Sequence, residues 1–384
     1  MFDLQQNTIL LSIAGSRVYG TATNSSDVDV KGVAIPPSSY YLGFLNRFEQ
    51  ADKSTQLEPF TGLLNADELA ASRAQKLEGS VYELRKFINL AIESNPNIWD
   101  VLFCRQEEVR LLSPEGQRLR ENRELFISAR ARWSFSGYAH SQLKRILSHR
   151  QWLLNPPTKA PSRADFGLPE CTLFPADQLS AAEAAIRLQM DNWLFNLEGV
   201  PETTVIQIQN QIAAHLSEIQ TALGHNTQQE MLYEAAGRAI GLGKDVMHVL
   251  QQERKYNAAQ GYWSQYNNWV RNRNSERAAL EAKCGYDSKH ASHLVRLLRM
   301  SREILTTGEV HVWRGPGGPN DAHELLAIRA GEWSFEHLIN YANDIEAQLD
   351  TLYKSNKYAI PREPGRKQVD ELCQELIASH WKAK

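Results

Sequence analysis

The sequence predicts an α+β chain, with strands gathered in residues 1–110 and a larger, mainly α-helical part over 111–384. Three observations carry this. The unbroken apolar run Ile9-Leu10-Leu11-Ser12-Ile13-Ala14 has the length and composition of a buried strand. Asp27-Val28-Asp29-Val30 alternates polar and apolar residues as a second strand does. From Ser113 onward, apolar residues return at threes and fours, which is the helical period.

At 384 residues the chain is longer than one ordinary domain and can bury a large core, so two domains are expected. The 42 basic and 45 acidic residues leave a net charge of −3, which argues against strong nonspecific binding to nucleic acid or membrane, while a local basic groove stays open. The cysteines, Cys104, Cys171, Cys284 and Cys373, lie far apart without C-x-x-C or zinc-finger spacing, the usual pattern of reduced cytosolic thiols. The start, MFDLQQNT, lacks the basic-then-apolar pattern of a signal peptide, and nothing approaches a membrane span. A cytoplasmic protein is expected.

The first strand breaks at Gly15-Ser16, crosses a polar loop from Thr21 to Ser26, and re-enters a strand pattern at Asp27. Alternation puts Asp27 and Asp29 on one face and Val28 and Val30 on the other. Two adjacent carboxylates repel unless a cation sits between them, and hard oxygen ligands suit Mg²⁺ completed by substrate phosphates. Gly15 lets backbone approach a ligand closely, and Ser16 offers a hydroxyl and an N–H to a phosphate oxygen. A lone D-x-D is usually a solvated strand edge, and a lone Gly-Ser usually a turn. Their order and separation here are more specific, and together they point to phosphoryl or nucleotidyl transfer.

Gly32 to Ile35 continues the second strand and Pro36-Pro37 ends it. Residues 47–75 have no sustained period and read as an irregular insertion. Ser80-Val81-Tyr82-Glu83 has capping-box spacing, so Ser80 is expected to cap a helix with Leu84, Phe87, Ile88, Ala91 and Ile92 on its buried face. Asn95-Pro96 and Ser113-Pro114 each supply a cap followed by proline at the first helical position.

A long helix is expected over Phe135 to Leu154, with Tyr138, Leu143, Ile146 and Leu147 toward the core. Arg145 and His149 share a face on it and Lys144 lies beside them; these either line a site or decorate solvated surface. Trp152 to Pro169 is a proline-punctuated connector carrying Arg163, and Ala181–Glu198 and Val205–Leu223 read as further helices. Tyr262, Trp263, Tyr266 and Trp269, followed by arginines, either stack nucleobases or, more commonly, pack a helical core. On a helix starting near Asp287, Lys289, His293 and Arg296 fall on one face, opposite Leu294, Leu297 and Leu298. That cationic stripe is either an active-site wall or a surface face with structural histidines. Arg314-Gly315-Pro316-Gly317-Gly318-Pro319 lacks the G-K-[ST] of a P-loop and reads as a mobile loop, before closing helices at Phe335–Tyr353 and Val369–Trp381.

The order of apolar strand, Gly15-Ser16, loop and Asp27-x-Asp29 resembles the DNA polymerase beta-type nucleotidyltransferase superfamily. The fuller run GSRVYGTATNSSDVDVKGV is similar to the predicted nucleotidyltransferases of phages and bacteria grouped with RNA-repair enzymes. Ser80–Phe103, Trp152–Glu170 and Gly285–Arg314 add to the likeness. The resemblance implies a small mixed-sheet nucleotidyltransferase domain, with the helical part completing a cleft. It also implies a third carboxylate on a strand just ahead of a helix, where Glu78 is the best match although aspartate is commoner there. The expected reaction is metal-dependent transfer of a nucleoside monophosphate to an acceptor hydroxyl with loss of pyrophosphate. Asp27, Asp29 and Glu78 would hold Mg²⁺ or Mn²⁺. Gly15, Ser16, Arg17, Tyr19, Lys144, Arg145, His149, Lys289, His293 and Arg296 would meet the nucleotide. The implied partners are a nucleoside triphosphate, ATP foremost, and an acceptor that is an RNA end, a protein hydroxyl or a small molecule; no membrane partner is expected. The competing reading is a catalytically silent nucleotide sensor or antitoxin-like partner on the same fold, against which the intact Gly15, Ser16, Asp27 and Asp29 argue.

Overall fold

The computed structural model describes residues 2–23, 26–73, 77–172, 175–195, 228–273, 275–355 and 360–383. Chain contacts divide it into two compact units, one made of Met1–Asn155 with Asn274–Lys384, the other of Pro156–Arg273. The boundary expected at residue 110 lies within the first unit.

The first unit is built on a mixed five-stranded sheet, consisting of β1 (Thr8–Ala14), β2 (Asp29–Ala34), β3 (Gln50–Ala51), β4 (Glu78–Glu83) and β5 (Val109–Leu112), in the order β3-β4-β2-β1-β5. β2 runs parallel to β4, and the other pairings are antiparallel. β1 is buried along its whole length because both faces of the sheet are covered. Leu11 and Ile13 pack with Val28, Val30, Leu57, Phe60 and Val81 on one side. Ile9, Leu10, Val33 and Ile35 join the larger helical core on the other. A continuous apolar run, rather than an alternating one, is what a doubly covered strand needs.

The helices that follow begin largely where the sequence placed them. Asn95 caps Pro96–Phe103 through its side chain, Ser113 caps Pro114–Glu121, and Asp287 caps Ser288–Thr307. The long helix spans Ala131–Leu154, and Phe335–Ser355 and Arg366–Lys382 close the unit. Helix Ser288–Thr307 is its axis: Leu294, Val295, Leu297, Leu298 and Ile304 are buried in the large core. None of the helices searched among the described residues is long and apolar enough to cross a membrane.

Several expectations are corrected. Ser80 lies inside β4, and the helix cap is Glu83, whose side chain accepts from the Lys86 N–H ahead of Leu84–Ile92. The S-x-x-E spacing fits a strand equally well, and the parallel ladder with β2 takes those residues. Asp27 lies two residues ahead of β2, so only Asp29 of the pair is on the strand. The described residues of 47–75 are not irregular: they hold β3 and helical segments at Ser54–Leu57, Glu58–Leu63 and Ala66–Arg73, each too short to show a period. Leu147 faces solvent at 47% exposure rather than the core. The glycine-rich loop is pinned, because the Arg314 side chain is fully buried and bonds Glu303 and Asp321, while its backbone N–H donates to Tyr19 O at 3.1 Å.

The second unit, taken by itself, is helical, with Ala176–Phe195, Gln228–Ala239 and Lys244–Arg271. Ile186, Tyr233, Ala236, Met247 and Leu250 form its core. Arg163 is held there by Glu253, with Nη1 to Oε2 at 3.0 Å, which accounts for the connector arginine without a ligand. Trp263, Tyr266 and Trp269 form a tilted ladder with centroids 5.9 and 6.0 Å apart along the long helix. The helix expected at Val205–Leu223 lies outside the described residues.

Candidate active site

At the end of β1 the chain turns through Gly15, whose φ of +69° is left-handed and costs glycine nothing. Ala14 pairs with Asp29 in the β1–β2 ladder, and Asp29 pairs with Glu78 across the parallel β2–β4 ladder. The three points therefore lie side by side across three strands. Gly79, next to Glu78, also has a positive φ of +149°, and a side chain there would collide with the Val30 carbonyl. Glycine is thus needed on both sides of Asp29.

A cavity of about 290 Å³ opens over this edge of the sheet. Gly15, Ser16, Asp27 and Asp29 line one side, with Lys31, Gly79 and Asn97 beside them. Lys289, Ser292, His293 and Arg296 line it from helix Ser288–Thr307, and Arg329 from the helix Ala322–Arg329. Segments more than 250 residues apart in sequence thus face one space.

Electrostatics mark Asp29 as the strained carboxylate. Burial pushes its pKa up, Asp27 and Glu78 push the same way, and Lys31 and Lys289 pull it back. Burial likewise holds the Lys31 ammonium below its ordinary range, against the pull of Asp100 and Asp29. Lys31 Nζ donates to Asn97 Oδ1 at 3.0 Å.

His293 and Arg296 correct the picture of a cationic stripe facing water. Burial drives the His293 pKa far down, and Arg296, His290, Lys289 and Arg329 add to it, so the imidazole is neutral at pH 7. Arg296 is 5% exposed. It stacks on Tyr19 at 3.6 Å and lies 3.8 Å from Asp100, whose other oxygen accepts the Tyr19 hydroxyl. Its charge is thus met from inside the protein, which is why a buried arginine is tolerated. Lys289 is exposed.

The remaining candidates divide. Tyr19 lines the cavity as the 3%-exposed hub between Arg296, Asp100 and His293. Arg17 does not line it; its guanidinium bonds the carbonyls of Ser26 and Asp27, at 3.1 and 3.2 Å, and so fastens the loop that carries Asp27. Glu78 is outside the lining as well, although Asp29 feels its charge. Lys144 and Arg145 are exposed on Ala131–Leu154 and do not reach the cavity, as long basic side chains on a solvated face do. His149 is drawn instead to Asp287, 2.8 Å away.

Lys31, Asn97, Asp100 and Arg329 were not anticipated. Lys31 carried a signal, since Asp27-x-Asp29-x-Lys31 continues the alternation that puts alternate residues on one face. Arg329 donates to the Thr21 carbonyl at 3.0 Å and had none, being one basic residue in an ordinary helix.

Residues 3–155, less than half of the chain, match the model of the RNA repair pathway DNA polymerase beta family. An uncharacterized 38.9 kDa protein from the nrdC-mobD intergenic region of Enterobacteria phage T4 is 27% identical over 140 residues. That match spans 36% of this chain and 38% of the phage protein's length. No solved structure matches the chain. The segment that carries Gly15, Asp27, Asp29 and Glu78 is thus the part of the chain that is similar to that family.

Proposed function

We propose, from the polymerase beta-type family that residues 3–155 match, that the protein transfers a nucleoside monophosphate from a nucleoside triphosphate to an acceptor hydroxyl, releasing pyrophosphate. The observation that carries this reading is one cavity joining Gly15-Ser16, Asp27 and Asp29 to Lys289.

The donor set suits Mg²⁺ or Mn²⁺. Asp29 is held at a carboxyl pKa above its usual range by burial and by Asp27, and a divalent cation relieves that repulsion. Asp27, Asp29 and Glu78 would hold it, and when bound it would neutralise triphosphate charge and make the acceptor hydroxyl more acidic. The protein's own groups do the rest. Gly15 and Ser16 offer close backbone and a hydroxyl to the terminal phosphates. Lys289, exposed on its helix, supplies a point charge to the same phosphates. Neutral His293 offers one ring donor and one acceptor without adding charge. Helices Ser288–Thr307 and Ala322–Arg329 close the cleft over the sheet from within the same compact unit. An RNA end is the favoured acceptor, in line with the matched family's description, and ATP is the triphosphate that the sequence resemblance implies.

The test is incubation of the full-length protein with each labelled nucleoside triphosphate and Mg²⁺, scored for pyrophosphate across RNA ends, protein hydroxyls and small hydroxyl compounds. Release that depends on acceptor and is lost in Asp29→Asn supports the reading. Triphosphate binding without release from any acceptor points instead to a nucleotide sensor.

A further inference from the structure

His149, which does not reach the cavity, belongs to a second cluster of different chemistry. His149 comes from helix Ala131–Leu154, Asp287 is the cap of helix Ser288–Thr307, and His290 lies in that helix's first turn. One oxygen of Asp287, Oδ2, faces both imidazoles, His149 Nδ1 at 2.8 Å and His290 Nε2 at 3.5 Å. The other, Oδ1, accepts the His290 backbone N–H at 3.1 Å, so the carboxylate cannot turn away without uncapping the helix. Its side chain is fully buried. The donor atoms of the three residues all lie within 4.8 Å of one another.

The surroundings orient these rings. His290 Nδ1–H donates to Gln142 Oε1 at 2.7 Å, which leaves Nε2 facing Asp287, where a neutral ring presents its lone pair. Trp152 stacks on His149, with centroids 5.4 Å apart and planes 25° from parallel. A ring nitrogen lone pair and a carboxylate oxygen pointed at each other repel unless a cation lies between them. Imidazoles held by an outer hydrogen bond, with a carboxylate completing the set, are the usual ligands of a borderline metal. Two nitrogens and one oxygen suit Zn²⁺, whereas Mg²⁺ takes oxygen alone.

We propose that His149, Asp287 and His290 bind Zn²⁺, fastening the start of helix Ser288–Thr307 to helix Ala131–Leu154. The inference is independent of the nucleotidyl-transfer reading, which concerns Asp27, Asp29 and Glu78. Its structural effect would fall on the turn that carries Lys289, so zinc would steady the cavity wall without touching the triphosphate.

Full-length protein, stripped with chelator, is titrated with ZnCl₂ or MgCl₂, desalted, and read for retained metal by mass spectrometry and for melting temperature. The expected result is zinc retained in stoichiometric amount, with a melting temperature raised by Zn²⁺ and not by Mg²⁺ alone. Co²⁺ in place of zinc should give visible absorption of a four- or five-coordinate site in the unmutated protein, so this readout needs no variant that folds. His149→Gln and His290→Gln should each weaken zinc binding about tenfold or more, and Asp27→Asn with Asp29→Asn should leave it unchanged. Failure to retain zinc or to shift the melting temperature would mean that a proton alone bridges Asp287 and His290, and would overturn the proposal. So would retention undiminished in both histidine variants, or lost in the aspartate double variant, which would place the zinc at the other acids.

Discussion

The Asp29 carboxylate lies against the α-carbon of Gly15, in the space where any side chain at residue 15 would sit. Gly15 has φ +69°, so the turn that ends β1 also opens the room that the buried acid occupies. Turn and acid are one device: the strand pairing Ala14 with Asp29 brings the carboxylate there, and the missing β-carbon lets it stay.

Gly15→Ala should therefore fail twice. A left-handed φ on alanine costs about 1 kcal/mol or more, and the methyl group displaces Asp29. The expected outcome is a modest fall in melting temperature together with loss of the stabilisation that Mg²⁺ plus ATP gives the parent. A thermal melt with and without ligand reads both. Full ligand stabilisation in the variant would show that Asp29 is not needed where it lies.

Asp29→Asn should raise the melting temperature of the metal-free protein. The folded pKa of Asp29 lies above its unfolded value, because burial and Asp27 disfavour the charge. A raised carboxyl pKa contributes stability that is fully present below the unfolded pKa and lost as pH rises through the folded one. The ionised parent is thus penalised at neutral pH, and the variant's advantage should shrink as pH falls through the folded pKa toward the usual carboxylate range. Melts of both proteins in chelator across that interval check the sign. A variant that melts below the parent at pH 7 would make the acid structural rather than a metal ligand.

Adding metal reverses the order. Mg²⁺ with a triphosphate at about a hundredfold over its dissociation constant should stabilise the parent by about 2–3 kcal/mol through linkage, and Asp29→Asn by much less. Glu78→Gln should lie between the two, because Glu78 is on the next strand in register with Asp29 but outside the cavity lining. Equal stabilisation of parent and Glu78→Gln would remove Glu78 from the metal set.

The cavity's sheet side was legible because strands announce themselves over few residues. The apolar run to Ala14, the Gly15 break and the alternating Asp27-x-Asp29 are local, and the same alternation extends to Lys31. The parallel register of Asp29 with Glu78 is not local, and the resemblance supplied only a third carboxylate on a strand ahead of a helix. What the sequence could not carry was burial. Lys289, His293 and Arg296 read as one charged face, yet the surroundings leave His293 neutral and give Arg296 to Asp100 and Tyr19. Asp100 itself looked like any acid in the helix Pro96–Phe103, and nothing near it in sequence names its partners. Ser80 misled for the opposite reason, since its local signal was strong and a sheet pairing overrode it.

Arg296 and Lys289 separate the two roles that one helix face combines. Arg296→Met removes one of the two cations beside the Asp100 carboxylate, which is 1% exposed, and leaves only Lys31 to meet its charge; losing one member of a buried pair costs about 3–5 kcal/mol. The variant should melt far below the parent, with or without nucleotide. Lys289 is exposed, and its removal should leave the melting temperature almost unchanged. Its effect should fall on the ligand: a charge-assisted bond to phosphate contributes about 1.5–3 kcal/mol, so Lys289→Ala should weaken triphosphate binding by roughly tenfold or more. The unphosphorylated nucleoside, which offers no such charge, should bind both proteins alike. Calorimetric titration of parent and variant with ATP and with adenosine separates the cases. Equal loss for both ligands would mean that Lys289 shapes the cavity, and no loss for either would take the helix out of the nucleotide site.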